Sequence, residues 1–217
     1  YDFFLTSDLP PGKGMASSSA DICAVLAAVA AVCQKSLSQQ DIGRLAASIE
    51  PTDGVFCQGM AMIQPETGAI WHVFPEVPFL AIAVFDVGGT VDTVAFHRVH
   101  RDRIRPVQAP LFLGLQLLTA SLTDRHLGLA ASLSALANQP WLPKPDFTAF
   151  LQAALDHPAV VGVNVAHSGT VAGVFFGCEA SPASREAVID TLCRQFPQWS
   201  YRETVQLQPG GIFTEIR

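Results

Sequence analysis

The run Pro10-Pro11-Gly12-Lys13-Gly14-Met15-Ala16-Ser17-Ser18-Ser19-Ala20-Asp21 passes without a break into the apolar stretch Ile22-Cys23-Ala24-Val25-Leu26. Two glycines one residue apart let a backbone come very close to a ligand, with no Cβ in the way. Three serines then stand where a helix begins, and serine is a favoured N-cap. The first turn of such a helix offers unpaired N–H groups and the positive end of the dipole. That combination binds phosphate, and serine hydroxyls can add hydrogen bonds or a Mg²⁺ ligand. The same residues also read as an ordinary Ser-capped core helix after a Gly/Pro turn. Two well-known phosphate loops do not fit: the Walker pattern needs Ser or Thr directly after its Gly-Lys, and here Gly14 follows Lys13. The dinucleotide fingerprint has Ser17 where its third glycine belongs.

Other residues with chemical potential lie downstream. Asp53 sits in a Pro51-Thr52-Asp53-Gly54 turn, where aspartate is a common turn former. Glu50, three residues earlier, is either a solvated helix end or, with Ser18, a source of the hard oxygen ligands that Mg²⁺ prefers. The loop His167-Ser168-Gly169-Thr170 lies between two apolar strands and reads equally as a hairpin turn. No Gly-x-Ser-x-Gly elbow exists in the chain, so a Ser-His-Asp hydrolase is excluded. Asp86-Val87-Gly88-Gly89-Thr90-Val91-Asp92-Thr93 is a second glycine-bearing loop, a flexible turn unless a ligand uses it.

The elements that must position these groups follow from composition and pattern. The chain of 217 residues is 49% apolar and only 15% charged, which excludes a disordered protein. A net charge of −6, without any run of Lys or Arg, excludes nucleic acid as a main partner. Arg98, Arg101, Arg103 and Arg105 form the one basic cluster, read as a solvated turn. The 5 cysteines are scattered with no metal-ligand spacing, so reduced, mostly buried thiols in a cytoplasmic protein are expected. No apolar run is long and pure enough to span a bilayer, and no membrane partner is expected.

Along the chain, Tyr1–Thr6 reads as a strand feeding the loop, and residues 19–35 as a buried, alanine-rich core helix. Ser38 opens a second helix that ends at Glu50-Pro51. Strands are expected over 55–63, 70–74 and 79–87, the last nearly all apolar and so central. Helical patterns run over 111–121, 128–138 and 146–155. Strands over 159–165 and 171–176, a helix opened by Ser181-Pro182, and strands over 199–206 and 211–216 complete the order. Helices and antiparallel strands segregated in this way predict an α+β fold with two subdomains.

The run Pro10–Ala20 resembles the phosphate loop of the GHMP kinases, the superfamily of galactokinase, homoserine kinase and mevalonate kinase. Their loop usually reads Pro-Pro-Gly-x-Gly-Leu-Gly-Ser-Ser-Ala-Ala. Met15 replaces its Leu, Ala16 its third Gly and Ser19 its first Ala. The stretch Gly162–Gly173 resembles a variant of the family's third motif. Asp86-x-Gly-Gly-x-Val-Asp-Thr93, Asn164–Thr170 and Lys13–Ser18 together look most like the family's L-threonine kinase branch, tied to cobalamin side-chain synthesis and propanediol utilisation.

The resemblance implies a ribosomal-protein-S5-like N-terminal domain over 1–100 and a ferredoxin-like C-terminal domain over 101–217. It implies ATP and Mg²⁺ as cofactors and a small alcohol, L-threonine before homoserine, as acceptor. Pro11, Gly12, Lys13, Gly14, Met15, Ala16, Ser17, Ser18 and Ser19 become the nucleotide-binding residues, Ser18 and Glu50 the metal ligands, and Asp53 and Lys13 the catalytic residues. Asp53 would take the proton of the attacking hydroxyl. Asp92, Thr93, His167, Ser168 and Gly169 become the substrate set, Asp92 meeting an ammonium group and Arg98 being a further candidate for the carboxylate.

The family's first motif precedes this loop, whereas only nine residues stand before Pro10 here. An N-terminally incomplete first domain is therefore expected, either because the chain is a truncated form of a longer protein or because a partner, a homodimer copy or a trans N-terminal segment, supplies the rest. The competing class is a non-catalytic fragment that keeps the fold and binds nucleotide or another chain.

Overall fold

A computed structural model describes residues 2–74, 76–92, 95–96 and 109–214. Helix α1 spans Ser17–Val32 and α2 spans Gln39–Ile49. Ser38 caps α2 in a reciprocal capping box with Asp41, so the second helix starts where its Ser-x-x-Asp pattern places it. A short 3₁₀ turn, Gly54–Phe56, leads to the antiparallel hairpin of β1 (Met60–Gln64) and β2 (Ala69–Phe74). After β3 (Ala81–Asp86) come α3 (Ala109–Ala120), α4 (Asp124–Asn138) and α5 (Phe147–Leu155). Strands β4 (Val160–Val165) and β5 (Val171–Phe176), helix α6 (Pro182–Gln195) and strand β6 (Ser200–Gln206) follow.

The chain divides into two units. The first comprises residues up to Pro11, Ala16–Val77 and the residues from Gln208 onward. Its small core joins Cys23 of α1, Ile42 and Ala46 of α2, and Phe56 and Cys57. Gln40 fastens α2 to the hairpin, its amide accepting from the N–H of Ile70 at 3.1 Å and donating to the carbonyl of Gly68 at 3.2 Å.

The second unit comprises Gly12–Met15 and Pro78–Leu207. Its four-stranded sheet has the order β4-β5-β3-β6, every neighbour antiparallel. With helices between β3 and β4 and between β5 and β6, this is the β-α-β-β-α-β arrangement of a ferredoxin-like sheet. Strand β3 is central, as its unbroken apolar run requires. Gly128 of α4 and Gly162 of β4 touch backbone to backbone, a spacing that any Cβ would prevent. Beneath the sheet Phe150 stacks on Trp199 with ring centroids 4.4 Å apart, and the Trp199 indole donates to the carbonyl of Pro145 at 3.0 Å.

Five expectations need correction, the first being the strand over 55–63, which begins only at Met60 because residues 54–56 form the 3₁₀ turn. Residues 2–6 form no strand, because the only sheet of the first unit among the described residues is the β1–β2 pair, and neither strand takes a third neighbour. Residues 211–214 likewise form no strand, although the N–H of Gly211 donates to the carbonyl of Val55 at 3.3 Å. Helix α1 is packed on one side only: Ser19 and Cys23 are buried, while Val25, Val29 and Val32 face outward. Of the cysteines, Cys23 and Cys57 are buried but Cys33 and Cys178 are exposed, and all are free thiols. Burial pushes the Cys23 thiol up to about 11, and the Cys57 thiol is raised for the same reason. The arginine cluster at 98–105 lies outside the described residues.

Candidate functional site

In the second unit the residues of the glycine loop are gripped by two other loops. Gly12 and Gly14 both adopt left-handed backbone, φ 70° and 77°, which an L side chain resists. The carbonyl of Gly12 accepts from the N–H of Val91 at 2.9 Å, and that of Lys13 accepts from the N–H of Thr170 at 3.1 Å. A Cβ on Gly14 would lie 2.6 Å from the Cβ of Ala166 and 2.8 Å from the Cα of Gly169. Gly169 is thus packed beneath the loop, and Pro11, just before it, is exposed.

Asp86, the last residue of β3, organises this region. Its side chain is only 3% exposed. Oδ2 accepts from Lys13 Nζ at 2.7 Å and from Arg202 Nη2 at 2.9 Å; Oδ1 accepts from Thr170 Oγ1 at 2.8 Å and from the N–H of Gly88 at 2.9 Å. Desolvation, the largest single influence, pushes the carboxyl up. The hydrogen bonds from Lys13, Thr170, Gly88 and Arg202 outweigh it and hold the group down at about 2. Lys13 Nζ donates in addition to the carbonyl of Gly89 at 2.7 Å.

Arg202 reaches this carboxylate because of a bulge. Phe85 pairs with Tyr201 and Val84 with Glu203, which leaves Arg202 as the extra residue of β6. Lys144 supports the same turn from another side. It is buried, donates from Nζ to the carbonyl of Ala166 at 3.0 Å, and burial lowers its ammonium to about 8.

In the first unit the other half of the motif begins at Ala16, the N-cap of α1, in left-handed backbone with φ 57° and ψ 28°. The serines therefore do not cap the helix but occupy its first turn, where the N-cap Ala16 makes no side-chain capping hydrogen bond and no residue of the turn is acidic. The Ser18 hydroxyl donates to Glu50 Oε1, so the two expected metal ligands meet. Ser19 is buried, and its Oγ accepts from the N–H of Asp53 at 3.0 Å. Asp53 itself is exposed in its turn. Among the described residues no cluster of three or more His, Cys, Asp or Glu could hold a metal. A site of one hydroxyl and one carboxylate suits Mg²⁺, which keeps waters and substrate phosphates as its remaining ligands.

The expected substrate residues are less gathered. Asp92 is exposed, its Oδ1 accepting from the N–H of Ala95 at 2.9 Å. Thr93 and Arg98 lie outside the described residues. The ring of the exposed His167 places Nε2 3.0 Å from Ser134 Oγ on α4; Ser168 and Met15 are half-buried. Sequence reasoning missed Asp86, Thr170, Arg202 and Lys144 as site-shaping residues. The available signal was a lone carboxylate closing an apolar strand directly before a Gly-Gly turn.

The family model described as "GHMP kinases N terminal domain" matches residues 1–61. The L-threonine kinase of Salmonella typhimurium is 35% identical over 213 residues, which covers 95% of this chain and 70% of that enzyme. The L-threonine kinase of Citrobacter freundii is 35% identical over 210 residues, covering 95% of this chain and 73% of that enzyme. Among solved structures, homoserine kinase from Cytophaga hutchinsonii superposes with a TM-score of 0.64 at 16% identity, over 92% of this chain and 67% of the other; at that identity the likeness is one of fold. Among the described residues no helix is long and apolar enough to cross a membrane.

Proposed function

This chain belongs to the GHMP kinases, and from that premise we propose that it transfers the γ-phosphoryl group of ATP to the hydroxyl of L-threonine, giving O-phospho-L-threonine. It is an ATP-dependent phosphotransferase with an alcohol acceptor. Likeness to L-threonine kinases along nearly the whole chain carries the choice of acceptor.

The residues have distinct tasks in this reading. Gly12 and Gly14 give the loop its left-handed backbone and let it pack closely on Thr90, Ala166 and Gly169, and the first turn of α1 supplies N–H groups to the triphosphate oxygens. Ser18 and Glu50 would hold Mg²⁺, which when bound offsets the charge of the phosphates. Asp53, exposed in a turn fixed by Ser19, accepts the proton of the threonine hydroxyl. Such a base acts late in a loose phosphoryl-transfer transition state, so its share of the rate is modest. Asp92 presents a carboxylate to the ammonium group of the amino acid.

The test is ADP release by the purified protein with MgATP and, separately, threonine, serine, homoserine, mevalonate and galactose. Threonine should give the highest kcat/KM. Serine lacks only a methyl, so it should be disfavoured by about 1–3 kcal/mol. A preference for galactose or mevalonate overturns the acceptor assignment, and no ADP from any alcohol overturns the kinase reading.

A further inference from the structure

Lys13 is the one residue between two left-handed glycines, so the loop is freest on both sides of it. It is also held through both its side chain and its carbonyl. Three hydrogen bonds close a ring: Lys13 Nζ to Asp86 at 2.7 Å, Thr170 Oγ1 to Asp86 at 2.8 Å, and the Thr170 N–H back to the Lys13 carbonyl at 3.1 Å. Its ammonium faces a nearly inaccessible carboxylate, which it shares with Arg202, and a backbone carbonyl, so its donors are engaged within the protein. Asp86 in turn accepts four hydrogen bonds, about the full capacity of a carboxylate.

We propose that Asp86 is a positioning residue for the nucleotide, acting through Lys13, and that Lys13 is a loop anchor and not a cation for the terminal phosphate. The proposal rests on the kinase reading above and gives Lys13 a role other than catalysis. Asp86, Thr170 and the bulged Arg202 set where the Lys13 backbone lies, and through it the Gly12–Met15 amides that line the triphosphate. An anchor serves every nucleotide that uses the loop. A phosphate-binding lysine instead favours the nucleotide carrying the γ-phosphoryl group.

Calorimetric titration of the whole protein with MgATP and with MgADP separates the two roles. Lys13→Met and Asp86→Asn should each weaken both nucleotides by a common factor of about ten to a hundred, the scale set by misplacing a binding group by an ångström. The double variant should be no worse than either single one, since each loses the same ring. Thr170→Val keeps the backbone N–H and the side-chain shape, and serves as a milder variant should Asp86→Asn not fold. It too should weaken both nucleotides equally. Lys13→Met weakening MgATP at least about tenfold more than MgADP, or strictly additive losses in the double variant, overturns the anchor. A wild-type protein that binds neither nucleotide overturns the kinase reading and the anchor with it. Wild-type binding combined with a lysine that discriminates between nucleotides overturns the anchor alone.

Discussion

The buried hydroxyl of Ser19 accepts the backbone N–H of Asp53 at 3.0 Å, so the helix that opens the phosphate motif also holds the turn carrying the proposed base. The usual GHMP pattern has alanine at this position, and the departure here thus has a structural task. Ser19→Ala should lower kcat with threonine while leaving the KM for MgATP nearly unchanged, and should cost about 1 kcal/mol of stability for one lost hydrogen bond. Asp53→Asn should produce the same kinetic split. Steady-state kinetics and thermal melts on both variants check this. A normal kcat in Ser19→Ala would detach the serine from the base.

Ala16 adopts φ 57° at the place where the family pattern has its third glycine. A left-handed alanine is strained by roughly 1–2 kcal/mol, partly balanced by the greater entropy that glycine loses on folding. Ala16→Gly should therefore stabilise the protein by about 0.5–1 kcal/mol, a rise in Tm of about 2 °C. Ala16→Val should do the reverse. Calorimetric melts decide, and a Tm that falls for Ala16→Gly refutes the strain.

Protonation of Asp86 reports on its node through stability. The carboxyl is held at about 2 in the folded protein against an ordinary 3.8, so the folded state binds this proton less readily than the unfolded chain. Its contribution, about 2 kcal/mol, is complete above pH ~4 and is lost as pH falls towards 2. Urea unfolding from pH 6 to pH 2 should show wild type losing about 2 kcal/mol more than Asp86→Asn. Parallel curves would count against the node.

Lys144 predicts the opposite end of the pH scale. Burial lowers its ammonium from 10.5 to about 8, so between those values the unfolded chain holds a proton that the folded protein has released. Stability should therefore rise with pH across that window, by about 3 kcal/mol from this group. Lys144→Met should lack the rise. If both proteins respond alike from pH 8 to 10.5, the lysine is better solvated than its 6% exposure indicates.

Much of the fold was legible in local pattern. The capping box at Ser38, the proline after Ser181 and the apolar run of β3 each announced an element that the structure contains. Strands were misread where their evidence was apolarity without a partner, as at Phe3-Phe4-Leu5, since pairing is a property of two segments and not of one. The pairing of Ser18 with Glu50 followed from the preference of Mg²⁺ for oxygen ligands and from the resemblance. The Asp86 node did not, because its side-chain partners lie 73, 84 and 116 residues away and one of them depends on a bulge. No sequence period encodes such a register shift.

The four donors on Asp86 come from three separate stretches of chain besides its own turn, and this constrains how such a sequence can drift over generations. Losing the carboxylate strands two cations, and losing either cation leaves a buried anion short of a donor. Variation at position 86 should therefore be inherited together with variation at 13, 170 or 202. A lineage that discards Lys13 has to rebuild the floor of the loop in the same episode, which makes the node a slow-changing knot in an otherwise permissive glycine-rich surface.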